Sequence, residues 1–470
     1  MPHTPAHSCQ PVDLNPRVAI PQKSPKLFHK MPANNDQPSP RAALHTLGCR
    51  LNQSETNHIR DQLVEQGYTI VPFEEEADLA IINTCTVTRM ADAKSRSAIR
   101  QFTRRNPEAI TAVVGCYSQM GYKEISKIEG VDLIIGNQEK HNVLDYLGDS
   151  KNETPVIVRD RIDRDDFSVS LVGDLPFSQR ANLKIQDGCD FMCTFCIIPF
   201  ARGRARSRDF QNLLEDARNL VSRGVRELIL TGVNLGTYDH SGQTITDITD
   251  ALNDLPGLDR IRISSIEPTT IPTALLKRMA DPGHALLPYL HIPLQAGTDT
   301  ILQAMRRKYT LQEFLDFLHQ ADTAVPDLCI GTDILVGFPG ETNELFEETC
   351  QTFLDGPFAY CHVFTYSERE GTPSTKLPGA VPVPERKTRS AHLRRLSSKK
   401  RHDYFEARLG NTYPVLFENQ REGHWPGYTP NYIRTLIPAN GQDLTNRLGL
   451  VRLDNTAADF VEGSLVEILD

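Results

Sequence analysis

The chain has little of what marks membrane, secreted or disulfide-rich proteins. None of its apolar runs approaches the roughly 18 residues that a membrane-spanning helix needs. Its first residues contain no apolar segment of the kind found in a secretory signal. Its ten cysteines are too few for a disulfide scaffold in 470 residues. We therefore expect a cytoplasmic, reducing environment and metal chemistry for some of the cysteines.

A surplus of positive charge is also lacking, because the formal net charge is −9. This excludes a wholly basic nucleic-acid binder but leaves room for a local positive surface. A length of 470 residues allows more than one domain. Residues 1–40 are rich in Pro, Asn, Gln and Ser without periodicity, and we expect them to be a disordered tail.

Three cysteines stand close together after a predicted strand at residues 181–186. Cys189, Cys193 and Cys196 have the spacing C-x-x-x-C-x-x-C, with Phe195 before the last one. Four thiolates complete the coordination of a 4Fe-4S cube, so three leave one iron open. A zinc site or three unrelated structural cysteines are the alternatives, but zinc usually takes four Cys or His ligands and no fourth lies nearby in sequence. The loop resembles the signature of radical S-adenosylmethionine (SAM) enzymes, in which the open iron holds SAM.

Three further cysteines, Cys49, Cys85 and Cys116, each follow a short apolar run and a small or turn-forming residue. Helical patterns at residues 54–66 and 91–105 lie between these runs, and such alternation predicts parallel strands. The carboxyl ends of parallel strands share one edge of a sheet, so the three thiols should converge there. They could instead be buried small hydrophobes, but their positions just past each strand favour a second three-thiolate cluster.

A strand–helix rhythm then continues to about residue 365. Six strands are predicted, at residues 181–186, 227–230, 260–263, 290–294, 329–336 and 360–364. Polar and glycine-bearing segments follow the strands, where barrel enzymes place their chemistry. Six units are fewer than the eight of a full (β/α)8 barrel, so we predict a partial, open (β/α)6 barrel, the architecture of the radical-SAM superfamily. Cys329, Cys350 and Cys361 fall inside predicted strands and a helix and are expected to be core residues.

The last part of the chain loses this rhythm. Short strands are predicted at residues 412–417, 432–437, 448–453 and 465–469, and they favour a small antiparallel barrel. Trp425, Tyr428 and Tyr432 are candidates for stacking on bases, although they could instead fill the small core. The predicted domain limits are a tail (1–40), an αβ domain (41–150), a linker with one strand at 154–158 (151–174), a partial barrel (175–405) and the terminal barrel (406–470).

Two basic stretches stand out in this acidic chain. One follows the cysteine loop directly and comprises Arg202, Arg204, Arg206 and Arg208. The other, residues 386–401, contains eight Lys and Arg residues. A charged run is most often a solvated face. Two of them, one beside the reactive centre, favour a phosphate-rich substrate.

The resemblance to radical-SAM enzymes also suggests residues that contact SAM. Gly232 and Asn234 occupy the place of the glycine motif that meets the amino group of SAM in that superfamily, although its usual acidic residue is missing. Glu267, at the end of the third barrel strand, could reach the SAM ribose. All three could equally be turn residues.

Together, the three-cysteine αβ domain, the partial barrel and a terminal barrel like a TRAM domain resemble the methylthiotransferases over about residues 41–470. The motifs that carry the resemblance are Leu-Gly-Cys49, Asn-Thr-Cys85-Thr-Val-Thr, Val-Gly-Cys116 and the three cysteines of the loop. Residues 46–56 and 427–432 look most like the branch that acts on threonylcarbamoyladenosine in tRNA. Residues 367–373 vary a common Ser-Pro-Arg-x-Gly-Thr-Pro pattern of the family.

This resemblance implies addition of a methylthio group to carbon 2 of N(6)-threonylcarbamoyladenosine at position 37 of tRNA. It implies two SAM molecules and two 4Fe-4S clusters, one held by Cys49, Cys85 and Cys116 and the other by the cysteines of the loop. An aromatic C–H offers neither an acidic proton nor a leaving group, so cofactors carry the hard step and we name no conventional catalytic base.

The implied partners are the anticodon stem-loop of tRNA and an electron donor such as a flavodoxin or ferredoxin, and we expect neither a membrane nor DNA. The alternatives are another branch of the family, acting on isopentenyladenosine in tRNA or on an aspartate of a ribosomal protein, or a non-catalytic iron–sulfur protein that binds RNA or carries electrons.

Overall fold

The computed structural model describes residues 39–148, 150–169 and 179–469. The predicted disordered tail, residues 1–40, lies outside the described residues except for its last two positions. Within the described ranges, no helix combines the length and apolar character needed to cross a membrane.

The N-terminal part is a six-stranded parallel sheet with the strand order β2-β1-β3-β4-β5-β6. Buried apolar residues pack on both faces of this sheet under the helices, as expected for parallel strands joined by crossovers. The elements are β1 (Arg41–Thr46), α1 (Arg50–Glu65), β2 (Thr69–Val71), β3 (Leu79–Thr84), α2 (Arg89–Arg105), β4 (Ile110–Gly115), α3 (Cys116–Ile125), β5 (Leu133–Ile135) and β6 (Val156–Val158).

Strand β6 lies in the stretch predicted to be a linker. Its residues pair in register with β5, from Leu133 with Val156 to Ile135 with Val158, and it forms the edge of the N-terminal sheet. The sequence pattern located this strand correctly but did not indicate which sheet it joins.

The middle part contains the six predicted barrel strands in two parallel three-stranded sheets, β7-β10-β13 and β14-β15-β16. A bridge between Ile261 and Leu286 connects β13 to the segment before β14. The elements are β7 (Arg180–Lys184), β8 (Gln186–Asp187), α4 (Ile198–Arg202), β9 (Arg206–Ser207), α5 (Phe210–Ser222), β10 (Glu227–Thr231), β11 (Asp239–His240), β12 (Gln243–Thr244), α6 (Ile245–Asn253), β13 (Arg260–Ile263), α7 (Thr273–Ala280), β14 (Tyr289–His291), α8 (Asp299–Ala304), α9 (Leu311–Ala324), β15 (Cys329–Val336), α10 (Asn343–Asp355) and β16 (Tyr360–Thr365).

The partial barrel is open, because no strand ladder joins β7 to β16 among the described residues. Helix α1 of the N-terminal sheet lies against β7, and Ser54 Oγ donates to the carbonyl oxygen of Asn182 at 3.1 Å. The N-terminal part therefore covers the first edge of the open barrel.

Helix α11 (Val383–Glu406) leads into a closed five-stranded barrel with the strand order β17-β18-β19-β21-β20. Its strands are β17 (Thr412–Phe417), β18 (His424–Tyr428), β19 (Arg434–Pro438), β20 (Leu448–Thr456) and β21 (Val461–Ile468). Strand β18 was not predicted, because it contains Pro426 and Gly427, two residue types that are depleted in strands. The predicted α/β class with a terminal β-barrel is confirmed.

Candidate functional site

Cys49, Cys85 and Cys116, which we call the sheet trio, lie at the carboxyl end of three adjacent strands. Cys85 directly follows β3, Cys116 begins α3 directly after β4, and Cys49 is the N-cap of α1 after β1. A Cβ atom on Gly48, whose φ is +110°, would lie 2.8 Å from Cys85 Cβ. Glycine at this position therefore allows the loop that carries Cys49 to approach Cys85 closely.

The sheet trio is chemically suited to bind metal. Its thiols are free in the structure. Burial raises the pKa of Cys85 to about 11, and the charges of the neighbouring Cys116 and Cys49 add to this rise. Cys116 is buried, Cys85 is partly buried and Cys49 is exposed. Thiolates are the form that binds iron or zinc, and a bound metal supplies the cation that compensates their charge.

Cys189, Cys193 and Cys196, which we call the loop trio, lie in the segment that follows β7 and β8. Burial raises the pKa of Cys189 to about 11 and that of Cys196 to about 12, and in both groups a neighbouring cysteine adds to the rise. This donor set also fits a metal that accepts three thiolates.

The loop that carries this trio is held by backbone contacts. Gly188 has a φ of +75°, and a Cβ there would lie 1.9 Å from the carbonyl oxygen of Arg204. The Cys189 N–H donates to the carbonyl oxygen of Gly203 at 3.1 Å, and the Thr194 N–H donates to that of Met305 at 3.0 Å. These contacts hold the loop against the segment that follows α4, at residues 203–204, and against the barrel at Met305.

Arg307 contacts the loop trio directly, and sequence analysis did not identify it. Its guanidinium donates to Cys193 Sγ at 3.2 Å and pairs with the carboxylate of Glu267. Glu267 is therefore engaged with Arg307 beside the loop trio, and burial raises its pKa. An arginine in the motif Arg-Arg-Lys-Tyr offers no periodic signal that would distinguish it from a surface residue.

Gly232 and Asn234 follow β10 beside the same loop. The N–H groups of Val233 and Asn234 donate to Gln186 Oε1 at 2.8 and 3.0 Å. Asn234 Oδ1 accepts from Thr270 Oγ1 at 3.0 Å, whereas Asn234 Nδ2 is buried and has no acceptor among the described residues. This turn is ordered by Gln186 and leaves one amide donor available.

Five buried charged residues lie between the two trios, and we call them the interdomain charge cluster: Glu55, Lys140, Lys184, Asp187 and Arg202. Each side chain is at most 6% exposed. Glu55 pairs with Lys140 at 2.6 Å and with Lys184 and Arg202 at 2.9 Å. Asp187 pairs with Lys184 at 2.7 Å and Arg202 at 3.0 Å. Burial alone would raise the pKa of Glu55, but Arg202 and the two lysines hold it well below its usual value.

The first basic stretch is therefore mostly internal. Arg202 and Arg208 are each 1% exposed and Arg206 is 8% exposed, whereas Arg204 is exposed. Arg208 donates to Asp216 and to Asn212, both at 2.8 Å. The prediction that these arginines present positive charge at the mouth is wrong for all but Arg204, because the others are buried and pair with carboxylates: Arg202 with Glu55 and Asp187, Arg206 with Asp187, and Arg208 with Asp216.

The second basic stretch forms part of α11 and is divided between interior and surface. Arg386 and Arg389 are buried and pair with Glu368 and Glu341. The exposed basic residues are Lys387, Arg394, Arg395 and Lys399. Only these four remain candidates for contact with phosphate.

The aromatic candidates of the terminal barrel do not form an open stacking platform. Trp425 is 4% exposed and packs in the barrel core with Phe417 and Val451. Tyr428 and Tyr432 stack on each other, with ring centroids 5.1 Å apart. Arg180 lies over Tyr428 and Arg262 over Tyr432, so these rings pack against the partial barrel.

Helix α2 presents a basic surface that sequence analysis overlooked. Its exposed arc contains Arg89, Lys94, Arg100 and Arg104 without an acidic residue. The single carboxylate of the helix, Asp92, is buried and pairs with Arg369 at 2.6 Å. Since the helix begins at Arg89, four residues after Cys85, the basic face starts beside the sheet trio.

Comparison with known proteins shows that two sequence families match this chain. The family described as "Uncharacterized protein family UPF0004" matches residues 41–136, and the "Radical SAM superfamily" matches residues 183–353. These two matches contain the sheet trio and the loop trio, respectively.

Several curated relatives match over most of their length. The threonylcarbamoyladenosine tRNA methylthiotransferase MtaB of Bacillus subtilis is 37% identical over 445 residues, which cover 91% of this chain and 97% of the relative. MtaB of Aquifex aeolicus is 37% identical over 80% of this chain and 92% of its own. The tRNA-2-methylthio-N(6)-dimethylallyladenosine synthase of Cereibacter sphaeroides is 32% identical over 88% and 95%.

Among solved structures, the radical SAM methyltransferase TsrM of Kitasatospora setae, with tryptophan substrate and a SAM analogue bound, is similar with a TM-score of 0.52. The likeness covers 72% of this chain and 75% of TsrM at 14% identity. At this identity the similarity concerns the fold alone.

Proposed function

The chain belongs to the radical-SAM methylthiotransferase family, and from this premise we propose that it adds a methylthio group to carbon 2 of N(6)-threonylcarbamoyladenosine at position 37 of tRNA. It is a SAM-dependent iron–sulfur enzyme of the type named MtaB in its relatives. The observation that supports the proposal is that the chain carries two separate trios of thiols and that a buried contact joins Cys116 of the sheet trio to α4, the helix that follows the loop trio. Asn137 Nδ2 makes this contact, because it lies 3.5 Å from Cys116 Sγ and 2.6 Å from the carbonyl oxygen of Ala201 in α4.

We assign one 4Fe-4S cluster to the sheet trio and one to the loop trio. When bound, the clusters and SAM would supply one-electron chemistry and the methyl group, which side chains alone do not supply. The side chains of the protein position the bound groups and set the environment of the ligand sulfurs. Arg307 donates a hydrogen bond to Cys193 Sγ, and hydrogen bonds to ligand sulfurs tune such clusters.

For SAM itself, Gly232, Asn234 and Glu267 remain the proposed contacts. The buried, unpartnered Asn234 Nδ2 supports this assignment, because a buried amide donor without an acceptor is unfavourable. The ion pair with Arg307 holds Glu267 beside the loop trio. We assign to this carboxylate a role in orienting Arg307 in addition to the proposed contact with the ribose.

The tRNA substrate requires positive surface, and helix α2 supplies it. We predict that Arg100→Ala/Arg104→Ala weakens tRNA binding about tenfold at low salt. The slope of log Kd against log salt concentration should also fall by about 1 to 2, because each phosphate contact releases about one counterion. The measurement is tRNA binding at several salt concentrations.

The matched control for this prediction is Lys127→Ala/Lys277→Ala, which removes the same charge from exposed positions, one two residues after α3 and one on α7. It should leave the salt dependence unchanged. Equal effects of the two double variants would show that net charge, and not the face of α2, determines binding.

An electron donor such as a flavodoxin or ferredoxin is part of the proposal, because the one-electron chemistry consumes electrons that neither trio generates. The proposed place of action is the cytoplasm, where tRNA is modified.

The second candidate substrate is dimethylallyladenosine (isopentenyladenosine) in tRNA, because the synthase of Cereibacter sphaeroides is 32% identical over most of both chains. The nucleosides of tRNA from a strain that lacks the gene separate the two. Loss of the 2-methylthio form of threonylcarbamoyladenosine supports the first proposal, and loss of the 2-methylthio dimethylallyl nucleoside supports the second.

A further inference from the structure

Arg202 occupies an unusual place, since it is a fully buried arginine six residues after Cys196 and at the end of α4. We propose that Arg202 is a positioning residue that joins the sheet trio to the loop trio, and that the excess positive charge of the interdomain charge cluster raises the reduction potential of the auxiliary iron–sulfur cluster bound by the sheet trio. This inference rests on the proposed function, because it presupposes a cluster at the sheet trio.

The contacts of Arg202 reach the sheet trio through Asn52. Arg202 Nη2 donates to Asn52 Oδ1 at 2.5 Å. Asn52 Nδ2 in turn donates to the carbonyl oxygens of Leu47 at 2.8 Å and Thr84 at 3.1 Å. Thr84 precedes Cys85, and Leu47 lies two residues before Cys49. One side-chain amide therefore fixes the two loops that carry these cysteines, and Arg202 fixes the amide.

A second connection reaches Cys116 through Asn137. Lys140 Nζ donates to Asn137 Oδ1 at 2.8 Å and pairs with Glu55. With its oxygen held in this way, Asn137 directs its Nδ2 toward Cys116 Sγ and the carbonyl oxygen of Ala201. All three segments of the sheet trio are thus tied to the interdomain charge cluster.

The guanidinium of Arg202 also contacts the segment that leads into the loop trio. Arg202 Nη1 donates to Asp187 Oδ1 at 3.0 Å, and this oxygen accepts the N–H of Gly188 at 2.9 Å. Gly188 directly precedes Cys189, and the Cys189 N–H bonds to the carbonyl oxygen of Gly203, the residue after Arg202. Arg202 therefore sets the start of the loop trio relative to the sheet trio.

The charges of this cluster do not balance. Lys140, Lys184 and Arg202 are positive, whereas Glu55 and Asp187 are negative, which leaves an excess of one positive charge. Arg206, with Nη2 3.8 Å from Asp187, adds to the excess. A cluster with three thiolate ligands is negative and becomes more negative on reduction, so buried positive charge favours the reduced state.

The test is a redox titration, followed by electron paramagnetic resonance, of the reconstituted full-length protein with both clusters. The same titration of C189A/C193A/C196A identifies the signal of the sheet trio. We expect Arg202→Gln to shift this potential to a more negative value and Glu55→Gln to shift it to a more positive value. The matched control Arg204→Gln removes an arginine that is 46% exposed and pairs with Asp190, and it should leave the potential unchanged.

Unchanged potentials in both buried variants, or shifts of the same sign, would overturn the inference. If Arg202→Gln does not retain iron at the sheet trio, Arg202→Lys should retain it. The Glu55→Gln variant then tests the inference: a more positive potential supports it, and an unchanged or more negative potential overturns it. A C189A/C193A/C196A protein that assembles no cluster at all would instead contradict the proposed function, so the two failures are distinguishable.

Discussion

Replacement of Cys193 by alanine is expected to abolish the reductive cleavage of SAM to 5′-deoxyadenosine. It should also lower the iron content of the reconstituted protein from about eight to about four per chain, because only one of two 4Fe-4S sites remains complete. Cys193 is 8% exposed and its sulfur accepts the hydrogen bond from Arg307, so the replacement removes both a ligand and the acceptor that Arg307 contacts. Iron analysis and chromatography of the nucleoside product measure both effects.

The matched control is Cys361→Ala, which removes another buried thiol from strand β16. It should keep all the iron and the cleavage activity, with a loss of about 1 kcal/mol in the free energy of unfolding, typical of a small core truncation. Cleavage of SAM at the wild-type rate by Cys193→Ala would refute the assignment of the loop trio.

Replacement of Cys85 by alanine should separate the two activities. The variant is expected to make no methylthiolated nucleoside, yet it should still form 5′-deoxyadenosine, because the loop trio and Arg307 are unchanged. Its iron content should also fall to about four per chain. One anaerobic reaction with tRNA, SAM and a reductant, analysed for both nucleosides, provides the measurement.

Two outcomes of this experiment would contradict the account. Methylthiolated product from Cys85→Ala would show that the sheet trio does not hold the group that is transferred. Loss of SAM cleavage with about four irons still bound would show that the two sites do not act separately. Cys361→Ala again serves as the control for removal of a buried thiol.

The regular parts of the fold followed closely from hydrophobic patterns. The predicted strands at residues 260–263, 329–336 and 412–417 coincide with β13, β15 and β17, because buried parallel strands and barrel strands leave continuous or alternating apolar runs. The parallel arrangement of β1, β3 and β4 also explains why three cysteines distant in sequence lie at one edge of the sheet, since their strands end there.

The polar interior could not be predicted in the same way. Arg202, Arg206 and Arg208 alternate with smaller residues and look like a solvated basic run, yet each is paired with carboxylates that lie elsewhere in the chain, such as Glu55 and Asp216. The Arg202–Glu55 pair joins residues 147 positions apart and leaves no periodic signal. Whether an arginine is buried or available to bind phosphate depends on whether the fold places a carboxylate beside it, and not on its residue type.

Trp425 illustrates the same limit for aromatic residues. A tryptophan on a small barrel suits both stacking on bases and filling the core, and its burial among Phe417, Ile437 and Val451 depends on how five strands close. Trp425 lies on β18, the strand that was not predicted because Pro426 and Gly427 interrupt the alternation of apolar residues, so the pattern could not indicate that its side chain is internal.

The central claim is that this chain methylthiolates threonylcarbamoyladenosine in tRNA, and mass spectrometry of tRNA nucleosides tests it most directly. A strain that lacks the gene should contain threonylcarbamoyladenosine without its 2-methylthio derivative. The wild-type gene and Cys361→Ala should restore the derivative, whereas Cys85→Ala and Cys193→Ala should not. An unchanged level of the 2-methylthio derivative in the strain without the gene would contradict the claim.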